Sequence, residues 1–370
     1  MMMKRRHLLF AGLASSALPL PGWADQQQQA PAAGFTGPCG SLALLWRDGH
    51  LLRDEAHGSA DLAGLRPLRS DAIYRIYSMS KAITSAAAQC LADDGKLSLD
   101  EPLAAVLPGM PRGVLMRHLH THTVGWPVEG AQIGALKLDE AKSLADYAER
   151  LSHLPLQVPP GSRFAYDGIH TEVLAHAIEQ RAGQPFAQFV HERVLKPLRM
   201  PDTDWQVPAD KLPRLVDLVQ VDDAGQRSAT KPDGAPLKRY TSGAGGLYST
   251  AGDYLRFCRM LLAGGELDGV RVLKPESCAA MLRNQLDSGV SGSAPGQGFG
   301  LGGAVQLDPS KSAWPGAAGQ YGWLGAAGTW FRIDPSRRQI ALYFAQVLPG
   351  KAAGAGSREF FAAVQADPIP

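Results

Sequence analysis

Cysteine is scarce. Four residues in 370, at positions 39, 90, 258 and 278, are too few and too irregularly spaced for a disulfide framework, and no Cys-x-x-Cys pair offers a zinc or redox site. An excess of charge is missing too. Thirty-seven basic side chains stand against 35 acidic ones, a formal charge of +2. Three of the cations, Lys4, Arg5 and Arg6, lie in a leader-like segment, and without them the formal charge becomes −1. There is therefore no basic footprint for nucleic acid and no attraction to an anionic membrane. Beyond the first 24 residues no apolar run reaches the 18 needed to read as a membrane span. A His-Glu-x-x-His helix and a Gly-x-Ser-x-Gly elbow are both absent, which argues against a zincin and an ordinary α/β-hydrolase.

What is present describes a packed globular chain: 45% apolar and 19% charged residues. The length suits two domains, or one large domain with an insertion, and buries enough surface to need no staples. Residues 1–24 read as a signal peptide. Lys4-Arg5-Arg6 is its basic start, Leu8 to Leu20 its apolar stretch, and Gly22-Trp23-Ala24 its cleavage site. Arg5-Arg6-His7-Leu8-Leu9 also fits a twin-arginine signal loosely. Residues 25–39 form a polar tether. The expected location is periplasmic or secreted.

Asp48-Gly49 between Leu42–Trp46 and Leu51–Glu55 predicts a tight hairpin. Ser78–Asp94 predicts a helix with Met79, Ile83, Ala86 and Cys90 on its inner face and Gly95 closing it. Residues 117–198 are mostly helical, most clearly over Ala141–Leu154 and Thr171–Arg181. Lys211–Leu237 is polar and turn-rich. Asp253–Leu262 is a helix, Thr329–Asp334 and Gln339–Gln346 form a second hairpin, and Arg358–Val364 is a last helix. The pattern implies one α/β (α+β) sheet domain, residues 40–116 and 239–370, closed by both ends of the chain, with a mainly helical insert at 117–238. Cys258 and Cys278, on neighbouring helical segments, either pair in an oxidising compartment or stay buried thiols.

Ser78-Met79-Ser80-Lys81 places an amine one helical turn from a hydroxyl, at a helix start whose free N–H groups favour an oxyanion. Taken alone it also reads as a helix cap with an exposed lysine. Its surroundings sharpen it. Arg75–Lys81 followed by Gly95-Lys96-Leu97-Ser98-Leu99-Asp100 resembles the serine β-lactamase and penicillin-binding-protein superfamily, in the class C-like branch that includes D-amino-acid peptidases and esterases. So do Leu119–Gly125, Pro160–Tyr166, Gly243–Thr250, Gly264–Gly269 and Gly298–Gly302, in order and at the family's spacing.

The resemblance implies an antiparallel sheet flanked by helices plus an all-helical domain, and it implies site residues. Ser78 is the nucleophile, Lys81 its partner, and Tyr166, in Tyr166-Asp167-Gly168, the general base. The backbone N–H groups of Ser78 and Ala326 form the oxyanion hole. Two positions depart from the pattern. Gly168 stands where the family has the Asn that helps hold the lysine and a substrate amide, a role Asp167 or His170 could take over. Trp323, in Trp323-Leu324-Gly325, stands where peptidases and β-lactamases present a cation to a substrate carboxylate. A charge-assisted hydrogen bond there contributes about 1.5–3 kcal/mol. Its absence, with Trp323 and Gly325 lining the substrate site as in esterase members, points to small acyl esters.

A free lysine amine and a free phenol both titrate near pH 10, and burial moves them in opposite directions. The implied base is therefore a coupled Ser78–Lys81–Tyr166 cluster sharing protons. No metal, organic cofactor or obligate protein partner is inferred. The alternatives are a β-lactamase or D-amino-acid peptidase of the same fold, an inactive binding module, and a metallohydrolase using the alternating His118, His120 and His122.

Overall fold

The computed structural model describes residues 40–312, 316–353 and 355–366; the leader, the tether and Cys39 lie outside them. Its centre is a seven-stranded antiparallel sheet made from both ends of the chain. The strands are β1 (Ser41–Arg47), β2 (His50–His57), β3 (Gln297–Phe299), β4 (Ala304–Gln306), β5 (Tyr321–Leu324), β6 (Trp330–Asp334) and β7 (Gln339–Phe344), in spatial order β2-β1-β7-β6-β5-β4-β3. The first hairpin turns as its Asp-Gly demands, with Asp48 at φ 47° and Gly49 at φ 91°. β1 then zips onto β7 from Leu42↔Phe344 to Arg47↔Gln339, which closes the domain with the chain's two ends side by side.

The central strands are apolar on consecutive residues because both sheet faces are covered. Along β1, Leu42, Leu44 and Trp46 enter the main core, while Ala43 and Leu45 face the C-terminal helix through Phe360, Phe361 and Val364. β7 alternates likewise, Ile340, Leu342 and Phe344 against Ala341 and Tyr343. Edge strand β2 is exposed and carries Arg53, Asp54 and Glu55, charges that oppose edge-to-edge pairing.

Seven helices matter to the site: α1 (Ser80–Asp93), α2 (Met116–His120), α3 (Leu144–Ser152), α4 (Ile169–Ala182), α5 (Ala251–Leu262), α6 (Pro275–Leu282) and α7 (Ala355–Ala366). The predicted α1 stripe of Met79, Ile83, Ala86 and Cys90 is fully buried, and Gly95 takes φ 71°. One continuous apolar core runs from the sheet through α1 into α2, α3 and α4.

Two sequence expectations change, and one open alternative is decided. The α-helix begins at Ser80, not Ser78: Ser78 sits in a preceding 3-10 turn, Tyr77–Met79, and caps nothing with its side chain. The polar stretch 211–237 contains a hairpin, Leu218–Val221 with Arg227–Thr230, whose first strand pairs parallel with Val347–Leu348. The second of these strands is exposed on every residue, so no apolar period marks it. Cys258 and Cys278 are separate buried thiols, and Cys278 Sγ donates to the Leu261 carbonyl at 3.0 Å. Among the described residues no helix is long and apolar enough to cross a membrane.

Candidate active site

The turn ahead of α1 sets the geometry. Tyr77 has φ 46°, a left-handed conformation that costs a non-glycine residue about 1–3 kcal/mol. It is held by backbone bonds on both sides: Ile76 N–H to Leu247 O at 3.0 Å and Met79 N–H to Ile76 O at 3.2 Å. Ser78 follows, half-buried. One turn on, Lys81 is 2% exposed, and its Nζ donates to Ser78 Oγ at 3.3 Å and to Ala244 O at 2.8 Å. The ammonium therefore leans on a carbonyl 163 residues away.

Tyr166 arrives from the loop ahead of α4, and Lys81 Nζ lies 5.1 Å from its ring centre. The indole N–H of Trp323, on β5, donates to Tyr166 Oη at 2.9 Å, with ring centres 4.9 Å apart. An indole nitrogen only donates, so the phenol oxygen is the acceptor and its own proton is directed elsewhere. Phe299 packs against Trp323 at 5.1 Å, and His122 against Tyr166 at 4.7 Å. Ser78, Lys81, Tyr166 and Trp323 thus form one connected group with an aromatic backing. Trp323, expected as a substrate contact, is 2% exposed and joined to Tyr166. No local signal in the sequence announces that link.

Gly325 follows β5 and lies against the turn that carries Ser78. A Cβ there would lie 2.4 Å from Ile76 O and 2.2 Å from Thr329 Oγ1, so only glycine permits the approach. Ala326, the next residue, is exposed. Gly168 is the reverse case: a Cβ would meet nothing closer than Ala244 Cβ at 3.6 Å, an ordinary contact. The two candidate substitutes for the missing Asn are spent on each other. His170 is fully buried, Asp167 turns inward, and His170 Nδ1 and Asp167 Oδ1 share a 2.6 Å hydrogen bond.

The alternating histidines do not converge. His118 Nδ1 accepts from Leu115 N–H at 3.1 Å, His120 Nδ1 pairs with Ser85 Oγ at 3.0 Å, and His122 turns back at φ 56°. Burial drives His120 down to about 3 and His122 well below the usual imidazole range. The helical course of α2 is the reason: alternation shares a face on a strand, not on a helix. His122 instead meets Asp167 and His170, the donor trio among the described residues whose ligand atoms lie within 4.8 Å of one another. The neighbouring Lys81 cation disfavours positive charge at His122, and it would oppose a divalent ion there in the same way.

A family model described as Beta-lactamase matches residues 25–364. Protein Rv1367c of Mycobacterium tuberculosis is 34% identical over 346 residues, covering 84% of this chain and 86% of its own. Esterase EstB of Burkholderia gladioli is 32% identical over 330 residues, covering 79% of this chain and 82% of its own. Among solved structures, EstCE1, titled a hydrolase with promiscuous acyltransferase activity, superposes with a TM-score of 0.77 at 25% identity, over 89% of this chain and 94% of that one.

Proposed function

The chain belongs to the β-lactamase family, serine hydrolases of the β-lactamase/transpeptidase-like fold that include esterases, carboxypeptidases and acyltransferases, and from that membership we propose that it cleaves small acyl esters through an acyl-enzyme on Ser78. The observation that carries the ester reading is Trp323. At the position where a carboxylate-binding cation is expected, a neutral indole holds Tyr166 at 2.9 Å. Gly168, in place of the amide-holding Asn, argues in the same direction. The name of Esterase EstB supports it further.

In this mechanism Ser78 Oγ attacks the ester carbonyl carbon. Its proton passes into the Lys81–Tyr166 pair, which accepts it in the form that is one proton short, with Lys81 Nζ 3.3 Å from Ser78 Oγ. The carbonyl oxygen becomes an oxyanion between the N–H groups of Ser78 and Ala326, a placement favoured by Gly325 lying against Ile76 O. The carbon–oxygen bond to the alcohol breaks, and the alkoxide leaves with the proton held by the pair. Water then attacks the acyl carbon and gives one proton to the pair through Tyr166. Ser78 recovers a proton as the acid is released. The burial of Lys81 strengthens its electrostatic contacts.

The test is p-nitrophenyl butyrate hydrolysis by the 25–370 chain and by Ser78→Ala, with a chelator control and a nitrocefin arm. Turnover that vanishes with Ser78 and ignores the chelator is expected. Equal turnover in both proteins, or none in either, sinks the reading, and dominant nitrocefin turnover replaces it with a β-lactamase. Export by a leader cleaved after Ala24 is proposed alongside, and N-terminal sequencing of the secreted protein checks it.

A further inference from the structure

We propose that Glu172 is a positioning residue for this site: it anchors the Ser242–Ala244 turn whose carbonyl holds Lys81, and so supplies the lysine's support in a chain that has Gly168 at the Asn position. The inference rests on the serine mechanism above.

Glu172 lies in the first turn of α4, 5% exposed. Its carboxylate is spent on one short stretch of chain. Oε1 accepts from Ser242 Oγ at 2.5 Å, and Oε2 accepts from Gly243 N–H at 2.8 Å. The same stretch is tied down from other directions. Gly243 O accepts from Thr84 Oγ1 of α1 at 2.7 Å, Ser242 O accepts from Trp205 Nε1 at 2.7 Å, and Ser242 Oγ accepts from Gly245 N–H at 3.3 Å. One residue further, Ala244 O receives the Lys81 ammonium at 2.8 Å. A Cβ on Gly243 would lie 2.8 Å from Ala175 Cβ and 3.1 Å from Thr171 O, so the turn is wedged onto α4 as closely as glycine allows.

A buried carboxylate is costly unless its lone pairs are used. Here burial pushes Glu172 above the usual carboxylate range, while the two donors and the Lys81 cation act the other way. The carboxylate and the ammonium thus face the same turn from two sides. Glu172 binds its N–H and hydroxyl donors, and Lys81 binds its carbonyl acceptor. Removing the carboxylate leaves the N–H of Gly243 and the hydroxyl of Ser242 without their acceptor, and the carbonyl that sets the Lys81–Ser78 distance loses its anchor.

The experiment compares wild type, Glu172→Gln and Ser242→Ala. It reads kcat and KM for p-nitrophenyl butyrate, the rate at which a fluorophosphonate probe labels Ser78, and the thermal melt of each preparation. Glu172→Gln keeps the volume and one acceptor oxygen but loses the charge, and its NH2 faces the Ser242 hydroxyl, which must turn its own proton away. It is expected to lower kcat by about 10- to 100-fold with KM nearly unchanged, and to slow labelling by a similar factor in cooperatively melting protein. Ser242→Ala removes one of the two bonds and is expected to lose several-fold in kcat and in labelling. The double variant should fall no further than Glu172→Gln alone. A kcat and labelling rate equal to wild type in Glu172→Gln, or a loss confined to KM, overturns the proposal. If Glu172→Gln does not fold, Ser242→Ala decides by the same criteria. A wild-type protein that labels and turns over beside an equally active Glu172→Gln refutes the positioning role alone, whereas a wild type that neither labels nor turns over removes the serine mechanism and this role with it.

Discussion

Replacing Trp323 with Phe isolates the contact between the substrate-side strand and the proposed base. The substitution keeps a ring against Phe299, whose centre lies 5.1 Å away, but deletes the N–H that reaches Tyr166 Oη at 2.9 Å. In the resting site this is a bond to a neutral phenol and contributes about 1 kcal/mol. To accept the Ser78 proton the pair must first be one proton short; the phenol oxygen then carries part of that negative charge into the transition state, where the same bond contributes about 1.5–3 kcal/mol. Only the difference, about 0.5–2 kcal/mol, slows the chemical step. Trp323→Phe should therefore lower kcat about 2- to 30-fold and leave KM nearly unchanged, because the bond lies within the enzyme and not to substrate. Trp323 is 2% exposed, so the smaller ring should also cost about 1–2 kcal/mol of stability. Steady-state kinetics with p-nitrophenyl butyrate, at a temperature where the variant stays folded, gives both constants. A cycle with Tyr166→Phe then tests whether the two effects are one interaction. An unchanged kcat, a fall carried by KM, or strict additivity with Tyr166→Phe would refute the claim that Tyr166 works through a charge-accepting oxygen steadied by Trp323.

Two further outcomes follow from single residues. Gly168 has ordinary helical angles at the cap of α4 and room for a Cβ, so Gly168→Asn should fold with stability within about 1 kcal/mol of wild type. By restoring the family's amide it should raise nitrocefin turnover relative to ester turnover; an unchanged ratio would show that the missing Asn does not set the preference. Asp253, in the first turn of α5, is pushed by burial from 3.8 up to about 6, although Oδ2 accepts from Asp202 N–H at 2.8 Å and Thr203 Oγ1 at 2.9 Å. Because the folded value is the higher one, its contribution to stability is fully present below about pH 4 and is lost as pH rises through 6. The loss is about 3 kcal/mol at 1.36 kcal/mol per pH unit, and the helix N-terminus offsets about 1 kcal/mol of it. Subtracting urea-melt free energies of Asp253→Asn from those of wild type between pH 4 and 7 should show this decline. A flat difference would mean that the two hydrogen bonds fully compensate burial.

Much of the fold and part of the site were legible in the residues, wherever the deciding interactions are local. Asp48-Gly49 specifies a turn whose two residues need positive φ, and the hairpin forms there. The apolar stripe of α1 and its closing Gly95 follow from helical period and chirality alone, and the spacing of Ser78 and Lys81 follows from one turn of chain. Even so, the turn is 3-10 with Tyr77 left-handed, and that conformation is set by bonds to Leu247, far along the sequence. Tertiary structure decided what the site is made of. Tyr166 meets Trp323 across 157 residues, Lys81 meets Ala244 across 163, and Glu172 meets Ser242 across 70. It also decided that His122 turns to Asp167 and His170 rather than to its alternating neighbours. A hydrogen bond between distant residues leaves no period or propensity in either segment. It exists only once β1 has closed onto β7 and the core has brought α1, α4 and β5 together. The sequence by itself therefore determined which elements form and where a hydroxyl and an amine share a turn. The closed sheet and packed helices determined which carbonyl, indole and carboxylate surround them.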